Sequence, residues 1–152
     1  MTRRFQLRFV LVLFIAALAA CDKPLTVEQQ IIATIRNMEA KVEAGERRPF
    51  MEHVAGDFSG QDGAVTREQL QSMVLFQMNR NRRLQAQLFP IHVVESSENI
   101  AVAHFRALVT GGKNWLPERG QVLDFETHWR LEDNEWMLSS ANWTPVPLED
   151  AL

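Results

Sequence analysis

Hydrophobic residues follow three different rhythms along the 152-residue chain. The first is an unbroken apolar run of twelve residues, Phe9 to Ala20, behind Arg3, Arg4 and Arg8. In the second, apolar residues recur every three or four positions: Val27, Ile31, Ile32, Ile35, Met38 and Val42, and later Leu70, Met73, Val74 and Met78. That spacing places each set on one face of a helix. Thr26 with Gln29, and Thr66 with Gln69, have the capping-box spacing that starts a helix. Gly45 fits the stop of the first helix, and the later one should end near Asn81. Between them Arg48 to Val54 reads as a short helix closing at Gly56, followed by the turn-rich break Gly60-Gln61-Asp62-Gly63. From Leu84 the third rhythm begins, an alternation with a period of two. It predicts strands over Leu84 to Val94, Ile100 to Thr110, Gln121 to Glu132 and Glu135 to Trp143. Pro90 lacks the ladder donor, so the first of these strands should lie at an edge or carry a bulge. Asp133-Asn134 is a two-residue hairpin turn.

Helices first and antiparallel strands after make an α+β domain. The expected architecture is a curved antiparallel sheet of about four strands, with three N-terminal helices packed on its concave face. A simple two-residue turn sets Leu131 opposite Trp136, Trp129 opposite Leu138, Thr127 opposite Ser140 and Phe125 opposite Asn142. Those eight side chains share one face, because alternate residues of a strand point the same way. The other face carries Asp124, Glu126, His128 and Arg130. In the preceding strand Ala101, Ala103, Phe105, Ala107 and Val109 share a face, with His104 and Arg106 opposite.

The apolar run is shorter than the roughly 20 residues needed to cross a bilayer. A charged start, an apolar stretch and small residues before Cys21 make a cleavable signal. Leu18-Ala19-Ala20-Cys21 resembles the lipobox of bacterial lipoprotein precursors. The resemblance implies that residues 1–20 are removed as a signal peptide and that Cys21 is lipidated, with palmitate-like chains. Residues 21–25 would then be a tether to the cell membrane on the periplasmic side. Asp22 leans the expectation toward the inner membrane. Cys21 is the only cysteine, so no internal disulfide can form. Of 16 basic and 19 acidic residues, three arginines precede Cys21, which leaves 13 against 19, a net charge of −6. An acidic domain is a poor partner for nucleic acid.

The stretch HVAGDFSGQDG before a helix, then IAVAHFRALVTGG, then the hairpin HWRLEDNEWML with ANW beyond it, resemble the nuclear transport factor 2-like superfamily. This is the cone-shaped fold of SnoaL-type cyclases, ketosteroid isomerases and scytalone dehydratases. The resemblance covers residues 26–143 and leaves 144–152 as a loose tail. It implies that the alanine face of the second strand turns inward, and that the outer sheet face can pair two copies as a homodimer. It names no reaction, because this fold serves enzymes, ligand binders and interaction domains alike.

With the alanine face inward, Phe105, Thr127, Trp129, Ser140 and Asn142 line either a ligand pocket or a filled core with three satisfied polar groups. The filled core is the expectation. His53 and Asp57, four apart, would share a helix face as an acid–base pair. Their alternative is a helix-end histidine beside a loop aspartate. His104, Arg106, Asp124, Glu126, His128 and Arg130 form a mixed-charge outer patch. Arg80, Arg82 and Arg83 cluster where a helix end favours cations, and Trp115 sits in a long loop, Gly111 to Gly120, as a lid or a contact. The chain has no tyrosine, whereas the isomerases and dehydratases of this superfamily polarise substrates with tyrosine hydroxyls. Four scattered histidines suggest no metal site, and no cofactor motif is present. The expected function is a non-catalytic, membrane-anchored binder of a partner protein or a small apolar ligand. The alternative is a cyclase- or isomerase-like enzyme using a polar group in the cone.

Overall fold

The structure, a computed structural model, describes residues 24–80, 83–112, 119–147 and 149. Cys21, Arg82 and Trp115 lie outside the described residues. The elements are α1 (Val27–Glu43), α2 (Arg47–Glu52), β1 (Val54–Gly60), β2 (Val65–Thr66), α3 (Arg67–Arg80), β3 (Arg83–Leu88), β4 (His92–Ser97), β5 (Ile100–Gly112), β6 (Arg119–Glu132) and β7 (Glu135–Val146). The domain is α+β, with three helices against one mixed sheet ordered β2-β1-β7-β6-β5-β3, and β4 also pairing β5.

Both capping boxes form as read. The Gln29 N–H donates to Thr26 Oγ1 at 3.2 Å, and the Thr26 N–H donates to Gln29 Oε1 at 3.1 Å. Thr66 and Gln69 repeat this at the start of α3. Helix α1 ends in a Schellman motif: Glu46 N–H donates to the Lys41 carbonyl and Gly45 N–H to that of Val42. Gly45 takes φ 72°, which glycine adopts without a Cβ penalty.

The short second helix stops at Glu52, earlier than its sequence suggests, and His53 starts a turn into a strand. Strand β1 replaces the expected loop. It pairs parallel with β7 and antiparallel with β2, so the sheet has seven strands and is not wholly antiparallel. The single strand expected over Leu84 to Val94 breaks at Phe89-Pro90-Ile91 into β3 and β4. Both lie along the same side of β5, one after the other, and both are edge strands. The carboxylates of Glu43 and Glu39 on α1 accept from the Ala86 and Leu88 N–H groups of β3. These carboxylates cap donors that an open edge would leave free to pair with another chain.

The turn at Asp133-Asn134 has positive φ at both residues, and Leu131 faces Trp136 and Trp129 faces Leu138 as expected. Beyond that pair Ser139 is an extra residue on β7, a β-bulge, and His128 faces Ser140. The register moves by one, so Thr127 faces Ala141 and Phe125 faces Trp143. Because side chains alternate, the slip exchanges which residues of β7 turn inward. Strand β7 also runs on to Val146, into the segment read as a tail.

The core lies at the narrow end of the cone. Ile31, Ile35 and Met38 of α1 pack with Trp129, Trp136, Leu138, Ala101 and Ala103. Trp129 is 1% exposed. Burying an indole removes about 200 Å² from water, worth roughly 5 kcal/mol. Trp136 Nε1 donates to Gln30 Oε1 at 3.0 Å and ties α1 to the closing strand.

Candidate functional site

The wide end of the cone is not filled. A cavity of about 1030 Å³ opens between the helices and the sheet, at the top of the roughly 300–1,000 Å³ range of small-molecule pockets. Its sheet wall is the inner face of β5, β6 and β7, including Phe105, Ala107, Val109, Phe125, Ala141 and Trp143. Phe105 and Phe125 stack at 5.1 Å between ring centroids. The alanine face of β5 thus turns inward as expected, but small side chains leave space there instead of admitting a helix. From Phe105 to Gly111 the wall runs six residues along β5, about 20 Å at strand rise.

Helix α3 forms the roof. It presents Leu70, Met73, Val74, Gln77 and Arg80 to the space. None of its 14 residues is buried, and Met73 and Phe76 are 43% and 58% exposed. An apolar stripe at helical spacing ordinarily faces a packed neighbour. Here it faces a hollow.

The five expected pocket residues divide. Phe105 and Thr127 line the cavity. Trp129 lies in the packed core below its floor. The bulge at Ser139 places Ala141 and Trp143 on the wall where Ser140 and Asn142 were expected. Asn142 instead clamps the β1–β2 turn: its Oδ1 accepts from Asp62 N–H at 3.1 Å, and its Nδ2 donates to Asp62 Oδ1 at 3.0 Å. Gln61 in the same turn donates to the Trp143 carbonyl at 2.9 Å and accepts from the Trp143 N–H at 3.3 Å. Gln61 and Asp62 both take positive φ. Nothing in the alternation of β7 marks the extra residue, so the sequence gives no signal for Ala141 and Trp143.

Among the described residues, the floor offers no free hydrogen-bond donor from its one polar side chain. Thr127, 4% exposed, donates its hydroxyl to the Ala103 carbonyl at 3.0 Å and accepts from Trp129 Nε1 at 2.9 Å. Polar side chains on the lining otherwise lie on the roof, the α1 wall and near the mouth: Glu39, Gln61, Gln77, Arg80 and Gln121.

His53 and Asp57 do not meet. The helix ends before His53, whose Nε2 lies 3.2 Å from Asn37 Oδ1. Asp57 sits in β1 and takes a two-pronged bond from Arg130, at 2.8 and 3.3 Å. The Arg130 hydrogen bonds, more than any other cause, hold the Asp57 carboxyl below its ordinary value, and Asp57 and Glu132 in turn raise Arg130. Arg130 also pairs with Glu132, Arg106 with Asp124 at 3.4 Å, and His128 with Glu126 at 3.0 Å. The outer patch is thus an ion-pair network, partly along β6 and partly across to β5 and β1, and its cross-strand pairs stabilise a sheet modestly. Among the described residues no group of three or more histidines, cysteines and acids could hold a metal ion, and no helix is long and apolar enough to cross a membrane.

No protein-family model and no curated protein matches the chain. Solved structures do. A proposed dehydratase of the NTF2-like family from Streptomyces avermitilis superposes with a TM-score of 0.66 at 16% identity, over 77% of this chain and 94% of that one. The chain has the nuclear transport factor 2-like fold. The same NTF2-like cone appears in a proposed scytalone dehydratase from Novosphingobium aromaticivorans, at TM-score 0.65, 11% identity and coverage of 79% and 84%. A proposed calcium/calmodulin-dependent protein kinase II association domain from Xanthomonas campestris matches at TM-score 0.68 and 13% identity, with coverage of 85% and 94%. Neighbours with such different roles establish the NTF2-like fold and leave function to the site.

Proposed function

We propose that this chain is a non-catalytic binding domain that holds a small apolar molecule in the cone cavity while tethered to a bacterial membrane through Cys21. The observation that carries the reading is the α3 roof, an apolar stripe turned toward open space across from an equally apolar sheet. A ligand there would remove both surfaces from water, at about 25 cal/mol per Å². The open cavity favours a small ligand over a protein partner. The enzymatic alternative, a cyclase- or isomerase-like reaction, would have to run on Glu39. It is the one carboxylate among the described lining residues, and its Oε1 holds the Leu88 N–H at 3.3 Å.

The test is calorimetric titration of the full chain carrying Cys21→Ser with dodecanol, a neutral single-chain ligand. Saturable binding at one site, abolished when Ala107 is changed to Trp in a variant that still folds, supports the reading. A folded protein that takes up no dodecanol refutes it. The tether rests on the lipobox pattern at Cys21. The Cys21→Ser protein should incorporate no radiolabelled fatty acid in cells, and continued labelling would overturn the anchor. The same reading places the domain on the periplasmic side, with the inner membrane favoured by Asp22. The outer patch is then free to pair two copies, and changing Glu126 and Arg130 together should halve the mass seen by light scattering.

A further inference from the structure

We infer that the cavity selects an amphiphile with a single apolar chain and an anionic head group, the head held at its mouth by Arg80. This deepens the binding function proposed above and rests on it. The chemistry of the cavity sorts a ligand end from end. At the floor, the Thr127 hydroxyl donates its one proton to the Ala103 carbonyl while accepting from the Trp129 indole. A ligand acceptor such as a carboxylate placed there would lose its water and find no donor, which costs of the order of 1–3 kcal/mol. The apolar end therefore goes in first. The wall from Phe105 to Gly111, about 20 Å long, accepts a chain and not only a compact ring.

The polar end must then sit where the cavity opens. Arg80 closes α3 just before β3, whose first residues pair with the last of β5: Arg83 with Gly112 and Leu84 with Gly111. Leu84, Gly111 and Gly120 line the same cavity, so Arg80 stands at the wide end. It is the only cation among the described lining residues with a described side chain. Its guanidinium lies over the Phe76 ring, 5.9 Å from the centroid, and no described carboxylate reaches ion-pair distance of it. A cation resting on an aromatic face keeps its planar donor fork available for a carboxylate or phosphate.

Two features oppose an anion here and are outweighed. The C-terminal carbonyls of α3 repel negative charge, so selection falls to the guanidinium itself, which turns back one turn from them over Phe76. Glu39 also lines the cavity, but it is fastened to the Leu88 N–H. Leu88 pairs with Ala107, four residues further along the ladder from the Leu84–Gly111 pair, which is more than 10 Å from the mouth at strand rise. Gln121, from β6, supplies a neutral amide to the same lining.

Three probes with one tail separate the possibilities: dodecanoate, dodecanol and dodecyltrimethylammonium, titrated calorimetrically into the full chain carrying Cys21→Ser at pH 8. Dodecanoate should bind about tenfold tighter than dodecanol, the expected size of a charge-assisted contact at a partly open site. The cation should bind weakest. Arg80→Gln should bring dodecanoate down to the affinity of dodecanol and leave dodecanol unchanged, while Arg80→Lys should keep most of the preference. Dodecyl phosphate, added as a second anion, distinguishes a phosphate head from a fatty carboxylate, and either tighter anion supports the inference. Equal binding of dodecanoate, dodecyl phosphate and dodecanol overturns it and leaves the apolar cavity standing, as does an anion preference that survives Arg80→Gln. Failure of dodecanol itself to bind would instead strike the underlying function.

Discussion

The Thr127 hydroxyl gives the sharpest test of how the cone floor is built. Thr127→Val keeps the shape of the side chain and removes only the hydroxyl. The Trp129 indole N–H, on a side chain 1% exposed, then loses its 2.9 Å acceptor. Leaving one such donor unsatisfied costs about 1–3 kcal/mol. For a domain of this size each kcal/mol lowers Tm by roughly 3–5 °C, so a loss of about 3–15 °C is expected. Thr127→Ser retains the hydroxyl and loses one methyl, for about 1 kcal/mol. Urea unfolding followed by tryptophan fluorescence reports on the indole directly. The decisive measurement is a double-mutant cycle with Trp129→Phe, which has no N–H to strand. In that background Thr127→Val should be cheaper by about 1 kcal/mol or more. Additive costs, or a valine variant as stable as the parent, would refute the satisfied floor. The roles of the mouth and the floor assigned to the ligand would fall with it.

Other expectations are independent of that one. Asp57 has a folded pKa below its ordinary value, so the stability it contributes is complete above about pH 4 and is lost as pH falls through the folded value. The urea midpoints of the parent and Asp57→Asn should therefore converge on acidification and differ by a constant amount from pH 5 upward. A gap that does not change with pH would rule out the Arg130 pairing as its source. Gly45→Ala should cost about 1–2 kcal/mol, because φ is 72° while an added Cβ would meet nothing within 4 Å. Equal or greater stability in chemical denaturation would contradict the left-handed stop. Asn142→Ala should lose about 1 kcal/mol from the Asp62 clamp and leave dodecanol binding untouched. A fall in dodecanol affinity would mean that residue 142 faces the cavity after all.

What could be read from the residues was whatever is encoded locally. Thr26 with Gln29 and Thr66 with Gln69 make their caps within a single turn, and Asp133-Asn134 makes its hairpin between adjacent residues. The inward alanine face of β5 came from alternation together with a family likeness. What escaped depends on partners far away in the chain. Val54 to Gly60 becomes a strand only because β7 offers it a parallel edge more than 80 residues later, and its own sequence reads as the end of a helix and a turn. The pair His53 and Asp57 dissolved for the same reason, since a strand in place of a helix sends the two side chains to different neighbours. The Ser139 bulge is silent in sequence, because β7 alternates plausibly in either register. The open interior was missed because a stripe such as Leu70, Met73 and Val74 announces an apolar surface without saying whether atoms or space lie opposite it.

The bulge at Ser139 has an evolutionary corollary. It uncouples the chemistry of the cavity from the substitutions that ordinarily alter it. Deleting that single residue would close the bulge and leave Ala141 opposite Thr127 and Trp143 opposite Phe125, so the inner wall would keep its apolar residues. Flattening the bulge at full length, so that Ser139 paired with His128, would instead turn Ser140 and Asn142 inward and convert a greasy wall into one bearing a hydroxyl and an amide, with no residue replaced. On a cone shared by proteins of such unlike roles, the gain or loss of a bulge in the closing strand is a shorter route between an apolar wall and a polar-lined one than a series of point replacements.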